Sequence, residues 1–122
     1  MSVTKQIQRS EWERYFDDRA KRHLRGDSQN ASASIEVLSP SLGEQPEVTT
    51  THLVGLIYDP KSNALEMMLE DVDHLVFYPA EIWVVEEDDG FISALEVVRS
   101  DGTREIMRLQ RSGAAASVHA TP

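Results

Sequence analysis

The sequence contains no cysteine, which excludes disulfides, thiolate zinc sites, iron–sulfur clusters and cysteine nucleophiles. It has no apolar run near the roughly twenty residues of a membrane-spanning helix, and residues 1–9 lack the apolar stretch of a secretion signal. Basic residues are scarce: the chain contains 12 Lys and Arg and 21 Asp and Glu, which gives a net charge of −9. We therefore expect a cytoplasmic protein that binds neither membranes nor the phosphates of nucleic acids.

The length of the chain limits it to one folded unit. With 122 residues it lies at the common size of a single domain, and a hydrophobic content of 40% supports a folded core. We predict a flexible N-terminus at residues 1–9, a single domain at residues 10–110 and a disordered tail at residues 111–122, which is rich in Ala, Ser and Gly.

An amphipathic helix is predicted near the N-terminus. Ser10 followed by Glu13 matches a capping box, and the helix should run from Glu11 to about Arg25, before Gly26. Its apolar stripe is formed by residues spaced three and four apart: Trp12, Tyr15, Phe16, Ala20, His23 and Leu24. We expect this stripe to pack on the rest of the domain.

The remainder of the chain has the pattern of antiparallel strands separated by turns. Turn residues at 59–63, 88–90 and 100–103 divide segments rich in branched apolar residues. The predicted strands are residues 34–38, 48–58, 64–70, 81–87, 91–99 and 104–110. Hairpins without helical crossovers, and without a glycine-rich phosphate loop, argue against a nucleotide-binding parallel sheet. We predict an α+β fold in which the N-terminal amphipathic helix packs on a curved antiparallel β-meander of five or six strands, either a small barrel-like sheet or an open sheet.

The interval from residue 70 to residue 79 fits neither a clean strand nor a plain turn. It contains four candidate binding residues: Asp71, Asp73, His74 and Tyr78. Carboxylate and imidazole groups can bind divalent cations when at least three donors converge. In an extended segment, however, Asp73 and His74 point to opposite faces, and only Asp71 and Asp73 could share a cation. We therefore predict no metal site and favour a local role, in which Asp73 caps a turn and His74 bonds to nearby backbone.

Residue patterns typical of catalysis are missing from the sequence. Glu86–Asp89 is a run of four carboxylates, which we interpret as a solvated hairpin tip rather than a calcium loop. His23, His52 and His119 lie on separate predicted elements and form no evident dyad, and no serine lies in a nucleophile elbow. We predict no catalytic residue and no cofactor, and expect that the protein is not an enzyme.

Four segments resemble a family of short bacterial proteins catalogued as domain of unknown function five-three-three-five. They are Arg9-Ser10-Glu11-Trp12, Leu53-Val54-Gly55-Leu56-Ile57-Tyr58-Asp59-Pro60, Asp73-His74-Leu75 with Pro79 and Ile82, and Asp101-Gly102-Thr103-Arg104-Glu105-Ile106. The resemblance implies a small cytoplasmic bacterial protein of α+β type. It implies no activity, substrate or catalytic residue.

Charge is distributed unevenly along the chain. Residues 1–26 contain seven basic and four acidic residues, net +3, whereas residues 27–122 contain five and seventeen, net −12. We expect a non-enzymatic accessory protein that binds a basic protein surface through its acidic sheet. The alternative is a domain that binds a small ligand or a divalent metal through Asp71–Tyr78. The basic helix could also dock on the sheet of a second subunit, and such a homodimer would have a mass near twice 13.7 kDa.

Overall fold

The computed structural model describes residues 1–23, 31–41 and 43–111, with side chains except those of residues 19–23 and 44–50. In chain order the elements are β1 (Val3–Ile7), a 3-10 turn (Arg9–Glu11), α1 (Trp12–His23), β2 (Ala31–Ser39), β3 (Gly43–Asp59), β4 (Ala64–Leu69), β5 (Asp73–Phe77), β6 (Pro79–Glu86), β7 (Ile92–Arg99) and β8 (Arg104–Arg111). The eight strands of these residues form one sheet, in the order β1-β6-β7-β8-β2-β3-β4-β5, and every neighbouring pair is antiparallel.

The prediction of an α+β fold with five or six strands is wrong. The described residues form a predominantly β structure, with eight strands and a single short α-helix of 12 residues. One additional strand, β1, lies in residues 1–9, which we predicted to be flexible, and it pairs with β6 from Val3 opposite Glu86 to Ile7 opposite Ile82. The other, β5, lies in the interval that fitted neither strand nor turn. The tail predicted at residues 111–122 falls outside the described residues from position 112 onward.

The sheet is strongly curled. Tyr78 alone connects β5 to β6, although β5 is the last strand in the sheet order and β6 is the second. Its backbone has the left-handed φ of 57°, an uncommon conformation for a bulky residue, and its carbonyl accepts a hydrogen bond from Ser100 N–H at 3.0 Å. The edge strand β5 is therefore brought close to β7 and β8. Within the described residues the hydrogen-bonded ladder remains open, with β1 and β5 as its two edges.

The core lies inside this curled sheet and is covered by α1. Its most buried side chains, each exposed by 2% or less, include Leu56, Leu65, Met67, Val76, Ile82, Val84, Leu95, Val97 and Met107. The helix adds Trp12 and Phe16, which are buried as the apolar stripe predicts. Trp12 Nε1 donates to the carbonyl of Ile7 at 2.9 Å, and its ring meets Tyr58 edge-on at 5.2 Å between centroids. These contacts connect α1 to β1 and to β3.

No helix within the described parts of the chain is long and apolar enough to span a membrane.

Candidate functional site

The alternation of β5 separates the predicted site residues. Asp73 is exposed on the outer face of the sheet, whereas His74 points inward together with Val76, which is fully buried. Asp71 lies exposed in the turn before β5, and Tyr78 lies exposed directly after it. The structure therefore does not bring the four residues together as one site. Among residues 1–23, 31–41 and 43–111, no group of three or more His, Asp or Glu side chains is arranged to hold a metal ion.

On the inner face, His74 belongs to a charged cluster rather than to a binding site with the aspartates. Its Nε2 lies 2.5 Å from Oε1 of Glu105, a carboxylate that is only 3% exposed. Arg99 Nη1 donates to the other oxygen, Oε2, at 3.2 Å, and Arg99 also pairs with Asp101 at 3.4 Å. Hydrogen bonds to an ionised group, such as that from Arg99 to Glu105, are stronger than neutral ones. The cluster therefore ties the edge strand β5 to β7 and β8 across the interior.

The outer face at β5 combines carboxyl groups with exposed apolar side chains. We call this surface the β5 face and define it by five residues: Ile57, Glu66, Asp73, Leu75 and Phe77. They are neighbours in register, since Glu66 lies opposite both Ile57 and Leu75. The side chains of Ile57, Leu75 and Phe77 are 45%, 44% and 42% exposed, well above what is typical of packed sheet positions. Edge strands with exposed apolar side chains are prone to pair with other chains.

Two carboxyl groups, those of Glu66 and Asp73, lie close together on the β5 face. A hydrogen bond with Asp73 is the main cause that raises the pKa of Glu66, followed by partial burial and by the negative charges of Asp73 and Asp59. Two adjacent carboxylates repel each other, so that keeping one of them protonated is favourable. A cation placed beside the pair would offset this repulsion and favour the ionised form of Glu66. The β5 face can therefore recognise a group that is both positively charged and flanked by apolar atoms.

The acidic hairpin tip is different, because the chain's own cations neutralise much of it. Glu86 pairs with Lys5 at 3.1 Å, and Asp88 pairs with the amino group of Met1 at 2.6 Å. Asp89 pairs with Arg111, whose hydrogen bond lowers the pKa of Asp89. The run that we interpreted as a solvated tip is thus engaged by both ends of the described chain and offers less free charge than the β5 face.

A cavity of about 460 Å³ lies on β2, β7 and β8, where the small side chains of Ser32, Ser34 and Ala94 leave space beside Arg108. Arg108 forms an ion pair with Glu36. None of the residues that line this cavity belongs to the Asp71–Tyr78 segment or to the β5 face. The cavity is therefore a feature separate from both.

Sequence reasoning missed three charged residues of these sites. Glu105 and Arg99 occupy inward positions of strands whose other inward residues are apolar, as in the series Glu105, Met107, Leu109. Such a residue could have been found from the sequence, because a charged side chain that shares a strand face with apolar residues is expected to be buried and to need a buried partner. Glu66 gave no comparable signal, since its outward position on β4 is ordinary for a carboxylate.

Comparison with known proteins supports the predicted resemblance. An uncharacterized protein of Aquifex aeolicus (strain VF5) is 40% identical over 109 residues, which cover 88% of this chain and 93% of that protein. No solved structure matches the chain significantly. The model of the family of unknown function DUF5335 matches residues 3–118, and so includes all eight strands. The chain therefore belongs to DUF5335, the family that the four sequence segments indicate.

Proposed function

We propose that this chain is a small, non-enzymatic, cytoplasmic accessory protein of bacteria that binds a basic surface of a partner protein through the β5 face. The observation that supports this function is the position of the carboxyl groups of Glu66 and Asp73 beside the exposed side chains of Leu75 and Phe77. Protein interfaces combine apolar area, which favours association, with charges that select the partner.

The overall charge of the molecule favours the same type of partner. The part of the chain that supplies the β5 face, residues 27–122, carries a net charge of −12. A field of one sign attracts oppositely charged proteins and accelerates their encounter. At the β5 face, a Lys or Arg of the partner would offset the repulsion between the carboxylates of Glu66 and Asp73. The local and the overall electrostatics therefore select a positively charged surface.

Affinity capture with matched variants tests this function. The wild-type protein, Asp73→Asn and Glu96→Gln are immobilised and exposed to a lysate of the source organism, at low salt and at about 0.5 M salt, where the screening length is only a few ångströms. Glu96 is the control, because it is an outward carboxylate of β7 that already pairs with Arg104 at 3.3 Å. We expect basic proteins to be captured at low salt by the wild type and by Glu96→Gln, but much less by Asp73→Asn. Capture that is equal for all three proteins and unaffected by salt would contradict the proposal.

The alternative function, binding of a small ligand or a divalent metal by Asp71–Tyr78, has less support. It requires side chains of this segment to converge, whereas Asp73 lies on the outer face and His74 is directed inward to Glu105. Only the apolar and acidic groups of the outer face remain together, and they favour a protein surface over a small ligand.

A further inference from the structure

A β-strand has backbone N–H and C=O groups along both of its edges. One edge of β5 pairs with β4, and the other does not. Tyr78 N–H donates to the Asn63 carbonyl at 2.8 Å, and Leu69 N–H donates to the Val72 carbonyl at 3.0 Å. Because bonded and non-bonded pairs alternate along an antiparallel ladder, the even-numbered residues of β5 are those that bond to β4. The backbone N–H and C=O groups of the odd-numbered residues consequently point away from β4: Asp73, Leu75 and Phe77.

This outward side of β5 is available for pairing. In the part of the chain that the structure describes, β5 is an edge strand, and no backbone hydrogen bond reaches its odd-numbered residues from that side. Proteins usually protect such edges with lysines, prolines or bulges. The β5 edge instead presents Leu75 and Phe77, and its only charged outward residue is Asp73. Such an edge is suited to accept an extended peptide.

We infer that an extended, basic segment of a partner protein adds to β5 as a ninth strand of the sheet. Its backbone pairs with Asp73, Leu75 and Phe77, and its alternate side chains extend the β5 face. Apolar side chains of the segment lie beside Leu75 and Phe77, and a lysine or arginine lies beside Asp73. This inference rests on the proposed function and specifies how the basic partner is bound.

The charges at the edge favour a basic partner over a second copy of this chain. Pairing of two β5 strands would bring the Glu66–Asp73 pair of one molecule towards that of the other, and each molecule carries a net charge of −9. A cationic side chain instead offsets the negative charge that contributes to the raised pKa of Glu66. Binding should therefore release protons and become tighter as the pH rises through the raised pKa.

A synthetic peptide provides the direct test. The probe is a terminally blocked peptide in which valine and threonine alternate between two flanking lysines, and binding to the full chain is followed by NMR. We expect the peptide to slow amide hydrogen exchange at Asp73, Leu75 and Phe77. In the probe Lys-Thr-Val-Thr-Val-Thr-Lys the lysines share the register of the valines, so that a lysine lies beside Asp73 when the valines lie opposite Leu75 and Phe77. N-methylation of the valines should abolish binding, whereas N-methylation of the threonines should leave binding intact.

A pair of substitutions at one position tests the backbone contact from the protein side. Leu75→Pro removes an N–H that does not bond to β4, a change that edge strands tolerate. Leu75→Ala removes the same apolar side chain but keeps the N–H. We expect Leu75→Pro to bind the peptide about threefold to tenfold more weakly than Leu75→Ala, the usual effect of one hydrogen bond. Thermal unfolding of both variants establishes that they remain folded.

The outcomes separate the mode of binding from the proposed function. Equal affinity of Leu75→Pro and Leu75→Ala, or no protection of the three amides by the peptide, would overturn strand addition. If Asp73→Asn still loses its basic partners in affinity capture, the proposed function survives that result. Protection of the three amides without peptide, together with a doubled mass, would show that a second copy occupies the edge and would also overturn the inference.

Discussion

The inner cluster of His74, Arg99 and Glu105 depends on the carboxylate of Glu105. It is 3% exposed and is shared between Nε2 of His74 and Nη1 of Arg99. Replacement by alanine leaves the Arg99 cation without this partner, and breaking a buried pair typically costs about 3–5 kcal/mol. Because Arg99 is itself 34% exposed, we expect Glu105→Ala to lower the free energy of unfolding in urea by about 3 kcal/mol, the low end of that range.

An exposed ion pair provides the matched control for this prediction. Glu96 and Arg104, whose side chains are 31% and 60% exposed, lie 3.3 Å apart on adjacent strands. Glu96→Ala should cost only about 0–1 kcal/mol, as is usual at the surface. Equal losses for Glu105→Ala and Glu96→Ala would mean that the inner cluster does not hold β5 in place.

The pair of Glu66 and Asp73 should make stability depend on pH. Because the hydrogen bond with Asp73, partial burial and nearby negative charge raise the pKa of Glu66 above its ordinary value of 4.5, the folded protein holds this proton more tightly than the unfolded chain. The resulting stabilisation is complete below pH 4.5 and is lost as the pH rises through the raised pKa. Relative to wild type, Asp73→Asn should therefore gain stability as the pH rises from 4.5 towards neutrality.

Urea unfolding across this pH range measures the free energy of unfolding of Asp73→Asn relative to wild type. Because other groups titrate alike in both proteins, their contributions cancel in this comparison. Asp71→Asn is the control, since Asp71 is exposed and is not among the groups that raise the pKa of Glu66. If the stability of Asp73→Asn and of wild type changes with pH in the same way, Asp73 does not raise the pKa of Glu66.

At the scale of elements, the alternation within β5 predicts a pattern of hydrogen exchange. In the protein alone, the amides of His74 and Val76 bond to β4, whereas those of Asp73, Leu75 and Phe77 face the open side. We expect the three odd-numbered amides to exchange much faster than the two even-numbered ones in NMR measurements. Uniform slow exchange along β5 would contradict a free edge.

Elements with strong local signals could be predicted from the sequence, and elements fixed by distant contacts could not. Asn63, Gly90 and Gly102 have φ values of 52°, 89° and 90°, and these turn residues identified the three hairpins correctly. Trp12 and Phe16 likewise identified the helix. In contrast, β1 buries only Ile7 and is held by β6, which is far away in sequence. Its own residues therefore carry little pattern.

The candidate site was predictable only in part, because its residues come together through strands that are distant in sequence. The segment that contains Asp73 and His74 was selected because its pattern was irregular, and β5 is irregular because apolar Leu75 and Phe77 face outward while His74 faces inward. The partners Glu66 and Glu105 lie on other strands, and Glu105 is 31 residues away from His74. Which strands meet depends on the curl of the sheet, which local patterns do not encode.

At the scale of the whole molecule, α1 covers the sheet of its own chain. Trp12 is 1% exposed, donates to the Ile7 carbonyl and contacts Tyr58 of β3. Trp12 and Phe16 are thus buried without a second subunit, and the net charge of −9 opposes association of identical chains. We expect sedimentation equilibrium to give a mass of 13.7 kDa that does not change on dilution in the micromolar range.

A mass near twice 13.7 kDa would contradict this prediction, and two variants would then locate the contact. Pairing of β5 strands uses the outward N–H of Leu75, so Leu75→Pro would restore the monomer and Leu75→Ala would do so less well. An exchanged helix would be unaffected by either substitution, because the described part of α1 packs mainly on β3 and β1. The two dimers therefore differ in their response to the loss of one backbone N–H, and that response decides whether another copy of the chain occupies the β5 edge.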